Sequence, residues 1–544
     1  MKDNILIVIP ARGGSKGIPR KNLRSLNGQP LLSYVIKAAL KSSHNPDIYV
    51  SSEDEEILSL ALKYGVNIHK RHPDRARDET TLDPVIYDVY RYASKHGTRK
   101  YDIIVTLQPT SPLITPVSID NAIGRLITNP WIDTVISAKD NTHLTWRKEN
   151  ERFLPNYAKR LNRQYLPPIF KETGAFLITR SSIITDHNRI GSNVDLYLLT
   201  GGESIDIDTY DDWRLCEYHL KKKRILFVVA GYNEIGLGHV YNTLLLANDI
   251  LNHEIYFLAD AKSKLALDKI AERNYQVVMQ EHGDIIDDIC LLEPHMVIND
   301  RLDTSLTYIQ GLKKLAIKVV NFEDLGEGTA FADLVINAIY PEQDILPNHY
   351  FGHKYFCLRD EFLLSPKKTV TRDVEHVLLT FGGVDPNNYT FKVLETIYNY
   401  CIRKHIQIMV IAGFGYNKYD TLKQFKHINI IRNSGNISDY MLKADVIFTS
   451  AGRTTYEAAA IGTPTIVMAQ NSRETTHFFA SKEFGFLNLG LGTSLSSDDI
   501  LHSFQKLVES AETRQYMGEL MKQVDLTQGR ANVKNLISQL LEQI

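Results

Sequence analysis

Cations and glycines crowd the stretch Pro10-Ala11-Arg12-Gly13-Gly14-Ser15-Lys16-Gly17-Ile18-Pro19-Arg20-Lys21-Asn22, directly after the first apolar run. Glycine lets backbone N–H groups approach phosphate oxygens, and Arg and Lys neutralise the charge gathered there. Arg12, Lys16, Arg20 and Lys21 would repel one another in so short a loop without an anion. A second chemically capable group is Ile205-Asp206-Ile207-Asp208. Its alternation predicts a strand, on which residues two apart share a face, so the carboxylates of Asp206 and Asp208 converge. Such a pair suits Mg2+, which takes a few carboxylates together with phosphate oxygens and water. A third group is Gly236-Leu237-Gly238-His239, where a glycine-rich turn opens a helix. A helix N-terminus suits a phosphate or a sugar, and imidazole is a sensible acid or base near neutrality.

These groups need a scaffold, and the sequence reads as α/β throughout. Ile5–Ile9 predicts a buried parallel strand, Leu31–Leu40 a helix, Asp47–Ser51 a strand and Asp54–Tyr64 a helix. Tyr101–Leu107 and Thr134–Ala138 add further strands, and the alternation argues for a doubly wound parallel sheet. The basic run Lys221-Lys222-Lys223-Arg224 precedes a fresh start, with Ile225–Ala230 as a strand, then a glycine turn and a helix. A second restart comes at His376–Thr380, again followed by a glycine turn. The expected fold class is therefore α/β, with a Rossmann-like domain over 1–221 followed by two Rossmann-like halves over 222–370 and 371–544.

Bulk properties narrow the function class. A chain of 544 residues is too long for one core. The net charge of -2 gives no global field for nucleic acid or an anionic membrane. The four cysteines, Cys216, Cys290, Cys357 and Cys401, form no CxxC pair, so neither a zinc knuckle nor a disulfide framework is indicated. The apolar start is too short for a signal-peptide core, and no apolar stretch approaches the ~20 residues a membrane helix needs. The expected setting is cytoplasmic.

The first motif resembles the signature of CMP-sialic acid synthetases and their relatives acting on other nonulosonic acids. Over about the first 220 residues, Gln108-Pro109-Thr110-Ser111-Pro112, Arg163-Gln164 with Leu166-Pro167, Lys171 with Gly174-Ala175, and Glu203-Ser204-Ile205-Asp206-Ile207-Asp208-Thr209 follow in the family's order. The resemblance implies transfer of CMP from CTP to a sialic-acid-like sugar acid, with release of pyrophosphate. It implies that Arg12 and Lys21 hold the CTP phosphates, that Asn22 and Gln108 place the nucleotide, and that Asp206 and Asp208 hold magnesium. Arg163 would face the sugar carboxylate, with Gln164 and Lys171 beside it. Family relatives often pair through this domain, so a homodimer is expected. The chain departs from the family at Thr142-His143-Leu144-Thr145-Trp146-Arg147, where Arg147 offers a cation to the sugar or the phosphate. A CMP-Kdo synthetase-like enzyme is the alternative.

From about residue 224 to 530, Phe381-Gly382-Gly383-Val384-Asp385, Ser450-Ala451-Gly452-Arg453-Thr454-Thr455-Tyr456-Glu457 and Gly462-Thr463-Pro464 look like a GT-B-type fold. They most resemble the UDP-sugar hydrolase of the pseudaminic acid pathway. That likeness implies His239 as the catalytic histidine, backbone N–H groups at Gly452–Thr454 for the diphosphate, and Glu457 for the ribose hydroxyls. Arg301 stands where the hydrolase usually has tyrosine, and Asn242 where it usually has arginine. Hydrolysis, sugar transfer and non-catalytic binding of a UDP-sugar all remain open on the sequence.

Overall fold

The apolar run after residue 4 becomes the strand Ile5–Pro10, buried along nearly its whole length. It is central because it has parallel neighbours on both sides, Asp47–Ser52 and Ile103–Leu107. The computed structural model describes residues 4–77, 79–97, 99–342, 346–432 and 434–544. Contacts divide the chain into two units, Met1–Lys222 and Lys223–Ile544.

The first unit carries a seven-stranded sheet in the order Val194–Leu198, Thr134–Asp140, Phe170–Arg180, Ile103–Leu107, Ile5–Pro10, Asp47–Ser52, Asn67–Lys70. Helix Leu31–Leu40 buries Leu32, Val35, Ile36 and Ala39, one stripe at helical spacing, into the core below the central strands. Asp54 starts helix Glu55–Lys63 by accepting from the N–H groups of Glu56 and Ile57. The expected all-parallel sheet needs one correction: Phe170–Arg180 runs antiparallel to both neighbours. A parallel return needs a crossover, usually helical, whereas residues 141–169 contain only a hairpin, Trp146–Glu149 with Arg152–Pro155, and a short turn. The pairing of Phe170–Arg180 with Thr134–Asp140 shifts register between Glu172 and Leu177, where Gly174 has φ +75.

The second unit holds two wholly parallel sheets. The first runs Val277–Met279, Glu254–Ala259, Arg224–Val229, Met296–Asp300, Lys318–Phe322, Leu334–Asn337, His349–Phe351. The second runs Ile428–Arg432, Gln407–Ala412, His376–Leu379, Val446–Thr449, Thr465–Ala469, Phe486–Leu491. Both orders step outward from the first strand and then reverse, which is the Rossmann-like arrangement, with the ligand crevice at the carboxyl ends of the strands. The expected boundary at residue 370 is crossed in both directions. Ala338, Phe356 and Phe362 pack into the core of the second half, and Phe356 stacks on Tyr456 with ring centroids 3.9 Å apart. The last helix, Gly529–Leu541, returns to bury Val533, Ile537 and Leu540 in the core of the first half.

Candidate functional site

In the first unit, the basic loop leaves the sheet at Pro10 and folds against acidic neighbours. The backbone N–H of Gly13 donates to Glu53 Oε1 at 2.7 Å. A Cβ on Gly13 would stand 2.5 Å from Asp54 Oδ2, and one on Gly17 would stand 2.6 Å from the Asp208 carbonyl. Those two glycines permit close approach, while nothing lies within 4 Å of a Cβ on Gly14. The mutual repulsion expected of the four cations is partly answered within the chain. Arg20, at φ 56, pairs with Asp54 at 2.8 Å and Glu56 at 2.5 Å. Asn22, nearly buried, donates to the Arg12 carbonyl at 2.9 Å and so fixes the loop from beneath. Arg71 was not singled out in the sequence. It is buried, bonded to Ser51, and close enough to Arg12 and Glu53 to feel both charges.

Asp206 and Asp208 lie on an extended segment outside any sheet, which corrects the predicted strand. The alternation persists, with Ile205 and Ile207 buried and the acids turned the other way, because the Ile207 N–H is held by the Thr110 carbonyl at 2.8 Å. Lys21 Nζ bonds the Ile207 carbonyl at 2.5 Å and reaches Asp208 at 3.4 Å. Burial raises the pKa of Asp206 and the charge of Asp208 adds to that, against the Thr110 side chain and the pull of Lys21. A Cβ on Gly174 would meet Asp206 Oδ2 at 3.1 Å and Gln108 Nε2 at 3.4 Å, so the bulge draws these groups together. Asp206 Oδ1 is buried without a hydrogen-bond partner, as is the Ser111 hydroxyl. Among the described residues no three metal-ligating side chains gather. An orphaned carboxylate oxygen beside a second acid and a cationic loop fits magnesium held jointly with a triphosphate, and does not fit a cation needing an all-protein cage.

The sugar-side candidates lie on the exposed edge of the same unit. Arg163, Gln164 and Lys171 are all exposed, and Arg163 stands 3.9 Å from Asp140. Lys171 sits opposite Lys139 in the antiparallel register. Like charges directly opposite destabilise a sheet, and here Asp212 is close enough to Lys139 to feel its charge; Lys139 is the cation of this group that the sequence did not point to. Arg147 is tied within the hairpin to Glu149 at 2.6 Å and Asn156 at 3.1 Å.

In the second unit, a cleft of about 550 Å³ separates the halves. His239, Gly452, Thr454 and Glu457 all line it. His239 Nδ1 lies 2.5 Å from Oδ1 of the fully buried Asp300, and Asn242 donates to Asp300 Oδ2 at 2.7 Å. Asp300 thus fixes the imidazole with Nε2 as the remaining acceptor. The signal for Asp300 was an acid closing the buried strand Met296–Asp300. Glu457 is already held by Arg359 at 2.9 Å, and burial raises its pKa. Gly238 does not open the turn for a phosphate alone: a Cβ there would stand 3.3 Å from Arg453 Cδ. Arg301, at the position where the resembled hydrolases have tyrosine, lies over the Tyr308 ring. Arg473 crosses from the second half to the first, gripping Asp303 through two bonds of 2.9 and 2.8 Å.

Two further titratable groups face this cleft. Burial raises Glu474 to about 7 even though it accepts from the N–H groups of Gln470 and Ala451. His477 gives its Nδ1 to the Ala451 carbonyl at 2.8 Å, and burial first, then Arg473 and His239, lower it to about 4.

A family profile described as cytidylyltransferase matches residues 6–203. The chain is 33% identical over 220 residues to CMP-N,N'-diacetyllegionaminic acid synthase of Legionella pneumophila, covering 39% of this chain and 94% of that one. It is 33% identical over 221 residues to N-acylneuraminate cytidylyltransferase A of Danio rerio, covering 39% of this chain and 50% of the relative. It is also 30% identical over 271 residues to an uncharacterized protein of Methanocaldococcus jannaschii, covering 46% and 56%. The chain thus spans about half the length of these last two relatives. In structure it is similar to MurG of Acinetobacter baumannii, at 14% identity and a TM-score of 0.42, over 58% of this chain and 99% of that one. Through its first unit, the chain belongs to the cytidylyltransferase family.

Proposed function

We propose that the first unit transfers CMP from CTP to a sialic-acid-like nonulosonic acid. The observation that carries the reading is the gathering of Lys21 with Asp208, and of Asp206 with Gln108 at the Gly174 bulge, beside the basic loop. The anomeric hydroxyl oxygen forms a bond to the α-phosphorus, and the bond from that phosphorus to the bridging oxygen breaks. Pyrophosphate leaves and the hydroxyl proton passes to solvent. Arg12 and Lys21 draw the triphosphate in, while the Arg163 fork takes the sugar carboxylate, with Lys139 and Lys171 adding positive charge. Magnesium at Asp206 and Asp208 would neutralise the phosphates and acidify the attacking hydroxyl. Such chemistry rests mainly on positioning and charge neutralisation. The legionaminic acid relative favours a nonulosonic acid over Kdo as the acceptor. CTP as co-substrate supports a cytoplasmic setting. The hairpin leaves Trp146 54% and Phe153 70% exposed, which supports pairing with a second copy.

The second unit, on this proposal, binds a UDP-sugar in its cleft, with His239 as acid or base. The His239–Asp300 pair facing the Gly452–Glu457 segment supports the reading. Hydrolysis is the first reading and sugar transfer the second. Mass spectrometry of products from CTP and a panel of nonulosonic acids tests the first activity. A chain ending at Lys222 should retain it, and a folded but inactive product would refute independence of the units. Calorimetry with UDP tests the second unit, and absence of binding at millimolar concentration would refute it.

A further inference from the structure

Arg453 sits in the middle of the Gly452–Thr454 segment, yet its side chain leaves the second half and enters the first. Its NH2 group donates to Asn242 Oδ1 at 2.8 Å. Asn242 turns its own amide N–H to Asp300 Oδ2 at 2.7 Å, and Asp300 Oδ1 holds His239 Nδ1 at 2.5 Å. The guanidinium lies 4.4 Å from the centre of the Phe356 ring and 3.9 Å from the buried Glu323. Gly238, in the turn before His239, is the residue that admits the arginine's stem. Every bond in this line has one direction. Arg453 only donates, so Asn242 must offer its oxygen to it and its NH2 to Asp300. That fixes the amide orientation, leaves Asp300 as a pure acceptor toward His239, and puts the imidazole proton on Nδ1.

We propose that Arg453 and Asn242 are positioning residues that link the nucleotide seat of one half to the imidazole of the other. The inference rests on the reading of the cleft as a UDP-sugar site and deepens it. A diphosphate held by the backbone at Gly452–Thr454 fixes the start of helix Thr454–Ile461, from which the Arg453 side chain departs. The same contact therefore holds Asn242, Asp300 and the tautomer of His239. Asn242 stands where the resembled hydrolases have arginine, so here the guanidinium comes from the other half of the cleft.

The test is nitrogen NMR of His239 in the full chain, assigned with His239→Gln, in wild type, Arg453→Ala and Asn242→Ala. Wild type should show the Nδ1–H tautomer. Each variant should lower the ratio of Nδ1–H to Nε2–H by about threefold or more, the worth of one neutral hydrogen bond. Guanidinium ion at millimolar concentration should restore the ratio in Arg453→Ala and not in Asn242→Ala, which a merely structural role would not produce. An unchanged ratio in both variants overturns the proposal. If Arg453→Ala fails to fold, Asn242→Ala alone decides. Failure of wild type to bind UDP would refute the cleft reading, while the tautomer ratios would still test the relay.

Discussion

Gly174 offers a direct measure of how tightly the first site is drawn together. Its φ of +75 lies in the left-handed region, where an L side chain costs about 1–2 kcal/mol. A Cβ there would also stand 3.1 Å from Asp206 Oδ2 and 3.4 Å from Gln108 Nε2. Ordinary contact begins near 3.4–4 Å, so the Asp206 carboxylate must retreat by a few tenths of an ångström. Gly201 separates the two effects: its φ is +55, but nothing lies within 4 Å of an added Cβ. Gly174→Ala and Gly201→Ala should each lower the melting midpoint of the first unit by about 2–8 °C, at 2–4 °C per kcal/mol for a unit of this size. Only Gly174→Ala should also lower pyrophosphate release, by about tenfold or more, since a misplacement near 1 Å costs about a hundredfold. Calorimetric melts and a coupled pyrophosphate assay at saturating CTP give both readouts. Equal turnover in the two variants would refute the view that Gly174 holds Asp206 and Gln108 in reacting geometry.

Asp206→Asn and Asp208→Asn should each cut magnesium-dependent CMP transfer by about a hundredfold or more while leaving the circular dichroism spectrum unchanged, and near-normal turnover would remove the metal assignment. Arg163→Lys keeps the charge but loses the fork, so KM for the sugar acid should rise about tenfold while KM for CTP holds; equal changes in both would contradict it. Burial raises Glu323 to about 8 against the pull of Arg453, from an ordinary 4.5 in the unfolded chain. The native state therefore holds this proton more tightly, and the stability it contributes is full below about pH 4.5 and lost as pH rises toward 8. Glu323→Gln should melt near wild type at pH 4.5 and higher than wild type at pH 8, and parallel pH profiles would refute this.

The parts of this protein that were legible share one property: a buried apolar run ending in glycine or proline. Ile5–Pro10, Arg224–Val229 and His376–Leu379 each begin a sheet where the sequence predicts it. Direction is not written in periodicity, so Phe170–Arg180 could not be read as antiparallel. Asp206 and Asp208 have a strand's alternation without a strand's ladder, because loop bonds to Thr110 and Lys21 hold the backbone instead. Lys139 gains meaning only from the register that sets it against Lys171. Asp300 and Arg453 were in plain view, but their partners lie 61 and 211 residues away in the chain, beyond any local pattern.

Arg453 and Arg473 join the two halves with different chemistry, and that gives the connection a mechanical character. Arg473 ends on Asp303 in a pair whose side chains are 29% and 46% exposed, so added salt weakens it. Arg453 ends on the neutral amide oxygen of Asn242, which is 2% exposed, and salt leaves that bond nearly untouched. The two halves are therefore joined by a salt-sensitive clasp and a salt-indifferent pin. Raising ionic strength should therefore loosen the Asp303 side while the floor beneath His239 keeps its geometry, so the hold between the halves and the alignment of the imidazole rest on separate contacts.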